Sequence, residues 1–242
     1  MKSAVVIIPT TGADTLYDAV DSLVRQDYEN LTILVVVDGK EYSKRVLNII
    51  SDIPISHRTN IEIVHLSENT GANGWYGQRI YASFAYLVNQ DYVLFLDQDN
   101  WFKSNHVSSM INTLESTNSD WVYSLREIFS KSKEFLVKDN CESLGRWNPF
   151  TDYRLVDNNC YCFKREVVVQ LTPFLYSGWG GDRILYNGLE QYFPNFTCTG
   201  EYTTNYRLDG NEGSVKKEFF EYGNNIVFQK FGGKYPWVNG NK

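Results

Sequence analysis

The chain has little of what several chemistries require. It carries four cysteines and three histidines in 242 residues. Cys141, Cys160, Cys162 and Cys198 lack the C-x-x-C spacing of a zinc site. In a cytosolic chain they are expected to be reduced, buried thiols. Cys160 and Cys162 alternate as on a strand, which would place both on one face. His57, His65 and His106 read as structural or surface residues. Basic residues are not in excess, with 23 Lys and Arg against 29 Asp and Glu and a net charge of −6. That balance speaks against a nucleic-acid partner and leaves only a local basic pair at Lys216–Lys217. No apolar run approaches the ~18–20 residues that span a bilayer. The opening "MKSAVVIIPTTG" is a short apolar run broken by Pro9, a first strand rather than a signal peptide. A cytoplasmic location is therefore expected, and the sequon-like Asn30-Leu-Thr32 and Asn195-Phe-Thr197 carry no message. The first turn, "IPTTGAD", has neither G-x-G-x-x-G nor G-x-x-x-x-G-K-[ST]. Nicotinamide cofactors and P-loop ATP chemistry are thereby disfavoured.

Aromatic residues are plentiful at 15%, led by 17 tyrosines. They suit a Tyr-rich core and rim, or surfaces that stack on sugar rings or bases. The length fits one large α/β domain with a substantial core. Ala4–Ile8 is a β-rich run, and Asp14 is placed to cap a following helix in which Leu16, Ala19, Val20, Leu23 and Val24 form one apolar stripe. "LTILVVVD" is a near-continuous apolar run of the kind covered on both faces in parallel sheets. A polar helix over 43–53, a strand over 61–66 and a helix within 73–90, with Ile80, Phe84, Leu87 and Val88 inward, lead to "YVLFLD". This β-α alternation predicts a doubly wound, mostly parallel sheet with helices on both faces. The second half is less regular. A helix that Ser104 could cap, strands at "WVYSL", "EFLVK" and "NCYCF", a short helix at "REVVVQL", a helix from Asp182 and a final helix at "KKEFFEYGNNIVFQKF" are expected. Gly223-Asn224-Asn225 weakens the last.

Ligands in such sheets sit at the carboxyl ends of the strands, and Asp38 and Asp97 both fall there. Asp97 and Asp99 are one residue apart. Two carboxylates so close repel unless a cation neutralises them, and hard divalent cations take one or two carboxylates together with substrate phosphates. The alternative is a solvated turn. Asp38, before Gly39, is suited either to accept from a base or ribose, or to close a turn. In "GWGGD", Gly178, Gly180 and Gly181 leave the backbone open to a ligand, and Trp179 offers a flat face to a sugar. Asp182 starts a helix whose dipole would keep it ionised, a fair general base for a hydroxyl. The alternative is an ordinary cap.

Together these motifs resemble the GT-A nucleotide-sugar glycosyltransferases of the family 2 type. "VVIIPTTGADTLYDAVDSLVRQDYENLTILVVVDG" is similar to that family's opening, "YVLFLDQD" to its D-x-D strand and "GWGGD" to an acceptor-side loop carrying the catalytic carboxylate. The resemblance implies a GT-A (Rossmann-like) fold, with residues 1–102 as the nucleotide-sugar half and 103–242 as the acceptor half of one compact domain. It implies that Pro9, Thr10 and Thr11 line the nucleotide pocket, partly through backbone groups. Asp38 would meet the base, Asp97 the ribose, and Arg79 the base or phosphate. Asp99, with Asp97, would hold Mn²⁺ or Mg²⁺ on the diphosphate. Trp179, Gly180 and Gly181 would form the acceptor side and Asp182 the base of an inverting displacement. The donor would be a UDP-sugar and the acceptor a glycan or lipid-linked glycan, with peripheral membrane contact through the aromatic second half. The loop 207–214 would close over the donor phosphates, bringing Arg207, Lys216 or Lys217 near. Three positions depart from the family pattern: Val37 replaces the first Asp of V-D-D, Thr11-Gly12 replaces Tyr-Asn, and no histidine follows Asp182. Two rival readings are a sugar-nucleotidyltransferase, whose usual Gly-rich basic loop is missing, and a non-catalytic carbohydrate-binding protein.

Overall fold

A computed structural model of the chain describes residues 2–54, 60–208 and 215–239. The strands are β1 Ala4–Thr10, β2 Leu31–Val37, β3 Asn60–His65, β4 Tyr92–Phe95, β5 Trp101–Phe102, β6 Trp121–Phe129, β7 Phe135–Lys138, β8 Tyr161–Lys164 and β9 Phe196–Arg207. The helices are α1 Leu16–Val24, α2 Ser43–Ser51, α3 Gln78–Leu87, α4 His106–Thr117, α5 Arg165–Leu175, α6 Gly181–Tyr192 and α7 Lys217–Lys230. One nine-stranded sheet runs β3-β2-β1-β4-β8-β6-β9-β5, with β7 added to β6. β3, β2, β1 and β4 are parallel neighbours. β8 enters antiparallel between β4 and β6, and β9 returns parallel to β6.

The apolar strands are continuous because the sheet is covered on both faces. Ala4, Val6 and Ile8 of β1 share one core with Leu16, Ala19, Val20 and Leu23 of α1 and with Val107, Met110 and Leu114 of α4. Val5 and Ile7 face the opposite core, with Ile80 and Tyr81 of α3, Val168 of α5 and Leu185 of α6. Period-2 alternation thus distributes one hydrophobic run between two helix layers.

Several local expectations give way. Asp14 does not cap α1; it pairs with Arg45, and Thr15 holds the cap position without a side-chain bond. Asn105 rather than Ser104 precedes α4. α3 starts only at Gln78 because Asn73 and Tyr76 take positive φ. Leu87 points out, 63% exposed, and Tyr81, Ala82 and Ala85 fill the core in its place. Cys160 and Cys162 lie in opposite cores, because Cys160 closes a 3-10 turn before the strand alternation begins. α5 is longer than expected and carries Pro173 inside it. β9, twelve residues, was not foreseen. α7 forms through Gly223, whose missing Cβ lets it lie against Cys141 and Phe150.

Candidate active site

The chain leaves β1, crosses to β2 and β3 on one side, and returns to β4 on the other. The carboxyl ends of β1 and β4 therefore lie side by side at the switch point of the sheet, where open α/β sheets bind ligands. Asp97, Gln98 and Asp99 form the turn after β4, and Thr11 to Ala13 follow Thr10, the last residue of β1. Because β8 runs antiparallel to β4, the 3-10 turn Asn158–Cys160 that precedes β8 lands beside Asp97.

Asp97 is held from two sides. Its Oδ1 accepts from the Tyr81 hydroxyl at 2.7 Å, and its Oδ2 accepts from Asn159 Nδ2 at 2.8 Å. Its backbone N–H donates to Asn159 Oδ1 at 2.6 Å. Asn159 is in turn bonded to Asp157, whose other oxygen accepts from Arg126. Burial pushes the Asp97 carboxyl above the ordinary range and the Asp157 charge adds to this, while the Tyr81 and Asn159 bonds oppose it. The Asp182 charge acts in the same upward sense, so Asp97 and Asp182 feel one another.

Asp182 lies in the first turn of α6, after Gly180 at φ +82°. Its Oδ1 accepts from the Arg183 backbone N–H at 2.8 Å. Contrary to the expectation from the helix dipole, its carboxyl is pushed up, first by burial and then by Asp157, against the lowering by Arg183. Trp179 stands 77% exposed beside it. Arg183 stacks 3.6 Å over Tyr153 and lies 5.4 Å from the Trp179 ring centroid. A Cβ at Gly181 would meet Ser177 Oγ at 2.4 Å and would force that side chain to shift, whereas Gly180 faces open space.

Asp38 is only 4% exposed. Its Oδ1 accepts from the Thr70 N–H at 2.7 Å and hydroxyl at 2.8 Å, and its Oδ2 from the Gly71 N–H at 2.8 Å. It therefore ties the loop after β3 to the end of β2, whatever else it meets. Arg79 donates to the Thr70 carbonyl at 3.2 Å, and its guanidinium lies 3.7 Å over Trp75, with Tyr176 on a further side. Trp75 and Tyr176 are 5.1 Å apart. Arg79 thus sits where the loop before α3 meets the segment leading to Trp179. Pro9 packs under Gly77, whose absent Cβ would meet Pro9 Cγ at 2.8 Å. The N–H groups of Thr11 and Ala13 and the Thr10 hydroxyl all point at Gln98 Oε1.

Arg207 is not disposed toward a ligand. It is 7% exposed, and it donates to the Asp99 carbonyl at 2.9 Å, the Lys131 carbonyl at 2.8 Å and the Asp18 carboxylate at 2.5 Å. It pins the carboxylate turn instead of reaching phosphates. Lys217 is paired with Glu221 on α7. Residues 209–214 of the expected closing loop, and His57, lie outside the described residues. His65 bonds Ser43, and His106 is buried, stacked on Phe102, with its pKa lowered by burial to about 3.

Sequence reasoning missed Arg126 altogether. Buried at 3% exposure, it meets Asp139 at 2.8 Å, Glu142 at 2.6 Å and Asp157 at 2.5 Å. The arginine is divided among three carboxylates, and its charge also lowers the Asp182 carboxyl, less than Arg183 does and not enough to offset burial and Asp157. Asp97 and Asp99, one residue apart, are oxygen donors of the type a hard divalent cation takes. Among the described residues, no group of three or more His, Cys, Asp or Glu could hold a metal. A cation at Asp97 and Asp99 would therefore depend on the donor's phosphates for its remaining ligands.

The sequence model of glycosyl transferase family 2 matches residues 5–165. No curated protein matches the chain in sequence. Among solved structures, S. aureus TarS residues 1–349 in complex with UDP gives a TM-score of 0.64 at 12% identity, over 98% of this chain and 74% of that one. The same TarS fragment in complex with UDP-GlcNAc gives 0.61 at 12% identity, over 100% and 68%. The longer TarS chain gives 0.60 at 13% identity over 85% of this chain, and the match spans only 37% of its length. At such identities the likeness is one of fold, the GT-A arrangement. The family match covers most of the sheet and both sides of the switch point, and the chain belongs to glycosyl transferase family 2.

Proposed function

We propose that the protein transfers a sugar from a nucleoside-diphosphate sugar, with a UDP-sugar favoured, to a hydroxyl of a glycan or lipid-linked glycan, with inversion. The observation that carries this reading is that Asp182 lies near enough to Asp97, which opens the turn at the switch point, for its charge to raise the Asp97 carboxyl. A proton acceptor thereby stands near the carboxylates that would meet the charged donor. Asp182 takes the proton from the acceptor hydroxyl as its oxygen attacks the anomeric carbon. The raised pKa strengthens it as a base, and a positioned general base supplies about 10²–10⁴-fold. The exposed face of Trp179, with Gly180 open beside it, orients the acceptor ring, which supplies proximity.

On the donor side, Pro9, Thr10 and Thr11 flank the nucleoside, Asp38 and Arg79 bracket the base, and Asp97 faces the ribose. The Thr11 N–H is already engaged by Gln98, so this loop offers the nucleotide its carbonyls and side chains. Mg²⁺ or Mn²⁺ would be held by Asp99 with Asp97, and when bound it neutralises charge on the departing diphosphate. The TarS complexes with UDP and UDP-GlcNAc support a uridine donor through the shared fold. Among the described residues no helix is long and apolar enough to cross a membrane; contact with a lipid-linked acceptor is proposed as peripheral, through the aromatic second half.

The test is Asp182→Asn together with a thermal-shift screen of nucleoside diphosphates with and without Mn²⁺. Transfer should fall by at least about 10²-fold, while UDP still raises the unfolding midpoint. Undiminished transfer by the variant removes Asp182 as the base. A midpoint unmoved by every nucleoside diphosphate removes the donor reading.

A further inference from the structure

Between the two carboxylates of the turn after β4 stands a side chain to which neither the motif nor the reaction assigns a role. Gln98 turns toward the loop after β1. Its Oε1 accepts from the Thr10 hydroxyl at 2.6 Å and from the N–H groups of Thr11 and Ala13 at 3.2 Å each. Its Nε2 lies 3.4 Å from Thr11 Oγ1. The Thr10 hydroxyl, while donating to Gln98, accepts from the Gly12 N–H at 2.9 Å. The three N–H groups from Thr11 to Ala13 are therefore all satisfied through one amide carbonyl and one hydroxyl. Gly12 has φ +73°, and a Cβ there would meet Val46 at 3.3 Å. The loop has no regular structure of its own, and this clamp supplies its order.

The other end of the clamp is fixed independently. Asp97 is held by Tyr81 and Asn159, and the Asp99 carbonyl by Arg207. Asn100 Oδ1 accepts the Arg207 N–H at 2.9 Å. The turn 97–100 is thus anchored to α3, to the segment before β8 and to the end of β9. Gln98 carries that rigidity to the loop on the neighbouring strand.

We infer that Gln98 is a positioning residue of the donor site: its carbonyl locks the nucleoside-side loop to the phosphate-side turn, so that the two halves of a nucleoside diphosphate meet one pre-set surface. The inference rests on the donor reading above and deepens it. A loop already ordered does not have to be ordered when the ligand arrives, and that saving appears as affinity. The consequence is specific: loss of the clamp should raise the Kd for the nucleotide and the KM for the donor and change kcat much less, because the Gln98 side chain bonds to Thr10, Thr11 and Ala13 on the nucleoside side.

The experiment measures UDP binding with Mn²⁺ by calorimetry, and amide hydrogen exchange of residues 11–13 without nucleotide, for the wild type, Gln98→Met, Gln98→Glu and Thr10→Val. Met keeps the length and removes the acceptor; Glu keeps an acceptor oxygen for the same three donors. Gln98→Met should weaken UDP about tenfold, the scale of one good hydrogen bond, and should speed exchange at residues 11–13. Gln98→Glu should restore the slow exchange. Thr10→Val, which removes one donor to Gln98 and the acceptor of the Gly12 N–H, should weaken UDP in the same direction and cost less in the Gln98→Met background than in the wild type. A folded Gln98→Met that binds UDP as tightly as the wild type overturns the inference and leaves the donor reading intact. A wild type that binds no nucleoside diphosphate overturns both. A lowered thermal midpoint with unchanged affinity would show a merely structural clamp, which also overturns it.

Discussion

A carboxylate in the first turn of a helix is ordinarily favoured in its charged form by the helix dipole. Asp182 goes the other way because burial and the nearby Asp157 charge outweigh that field. Two measurable consequences follow from the sign. As a base, Asp182 must be deprotonated, so the acid limb of kcat/KM against pH should fall above 3.8, the value of an unperturbed Asp. A limb at or below that value contradicts the role. For stability, a carboxyl whose folded pKa is raised binds its proton more tightly in the folded state. Its favourable contribution is complete below the unfolded pKa and is lost as pH rises through the folded pKa. At pH 7 the ionised Asp182 therefore costs stability. Asp182→Asn keeps an oxygen for the Arg183 N–H and removes the charge. Its thermal midpoint should exceed that of the wild type at neutral pH, and the two should converge in acid. Such a gain in stability at the expense of activity is typical of a functional site. A midpoint below the wild type at pH 7 would show that the buried charge is compensated.

At the scale of elements, α7 poses a conflict between propensity and packing. Gly223 in its interior costs about 1 kcal/mol relative to Ala on propensity alone. Yet a Cβ there would meet Cys141 Sγ at 2.6 Å and Phe150 Cε1 at 2.7 Å. Overpacking of this kind costs about 1–3 kcal/mol, so Gly223→Ala should destabilise the protein, read as a lower urea midpoint; a rise would mean the helix can move away. The same tension explains what was legible in the sequence. The strands through Leu96 could be read because burial on both faces writes an unbroken apolar run, and the stripe Leu16, Ala19, Val20, Leu23 because one buried face writes a helical period. β9 could not, since "FTCTGEYTTNYR" mixes polar residues into a strand whose Thr203, Thr204 and Asn205 are buried by pairing to other elements rather than by apolarity. Leu87 was misplaced because the buried face of α3 is completed beside Ile80 by Tyr81 and the small Ala82 and Ala85 rather than by a further bulky aliphatic residue. The candidate site was legible where carboxylates end strands, at Asp38, Asp97 and Asp99. It was illegible where distant residues converge: Arg126, Asp157 and Asn159 have no local signature, and only the antiparallel entry of β8 brings Asn159 to Asp97. Gln98 was in view as the middle of a motif, but its role depends on the neighbouring strand.

Across the whole molecule, Arg126 is the junction through which the second half supports the first. From β6 it binds Asp139 and Glu142 on the loop after β7 and Asp157 before β8, and Asp157 hands the restraint through Asn159 to Asp97. Its guanidinium also lies 4.5 Å over the Tyr206 ring of β9. Although burial pushes the Asp139 carboxyl up, Arg126 and the N–H groups of Cys141, Glu142 and Ser143 hold it below the ordinary range. The favourable contribution of such a group is present above its unfolded pKa and is lost as pH falls through the folded one. Arg126→Met would leave three carboxylates without their cation in the interior. Breaking a buried pair in this way costs about 3–5 kcal/mol, so the urea midpoint should drop sharply at pH 7. The deficit should shrink as pH is lowered, because Asp139 and Glu142 can then protonate and no longer need a counter-charge. Arg126→Lys should recover part of the loss, since an ammonium restores charge but lacks the planar fork that serves three partners at once. Equal midpoints for wild type and Arg126→Met at pH 7 would show that these ion pairs hold nothing in place. A deficit independent of pH would show that Arg126 acts through packing against Tyr206 and Phe220 rather than through charge.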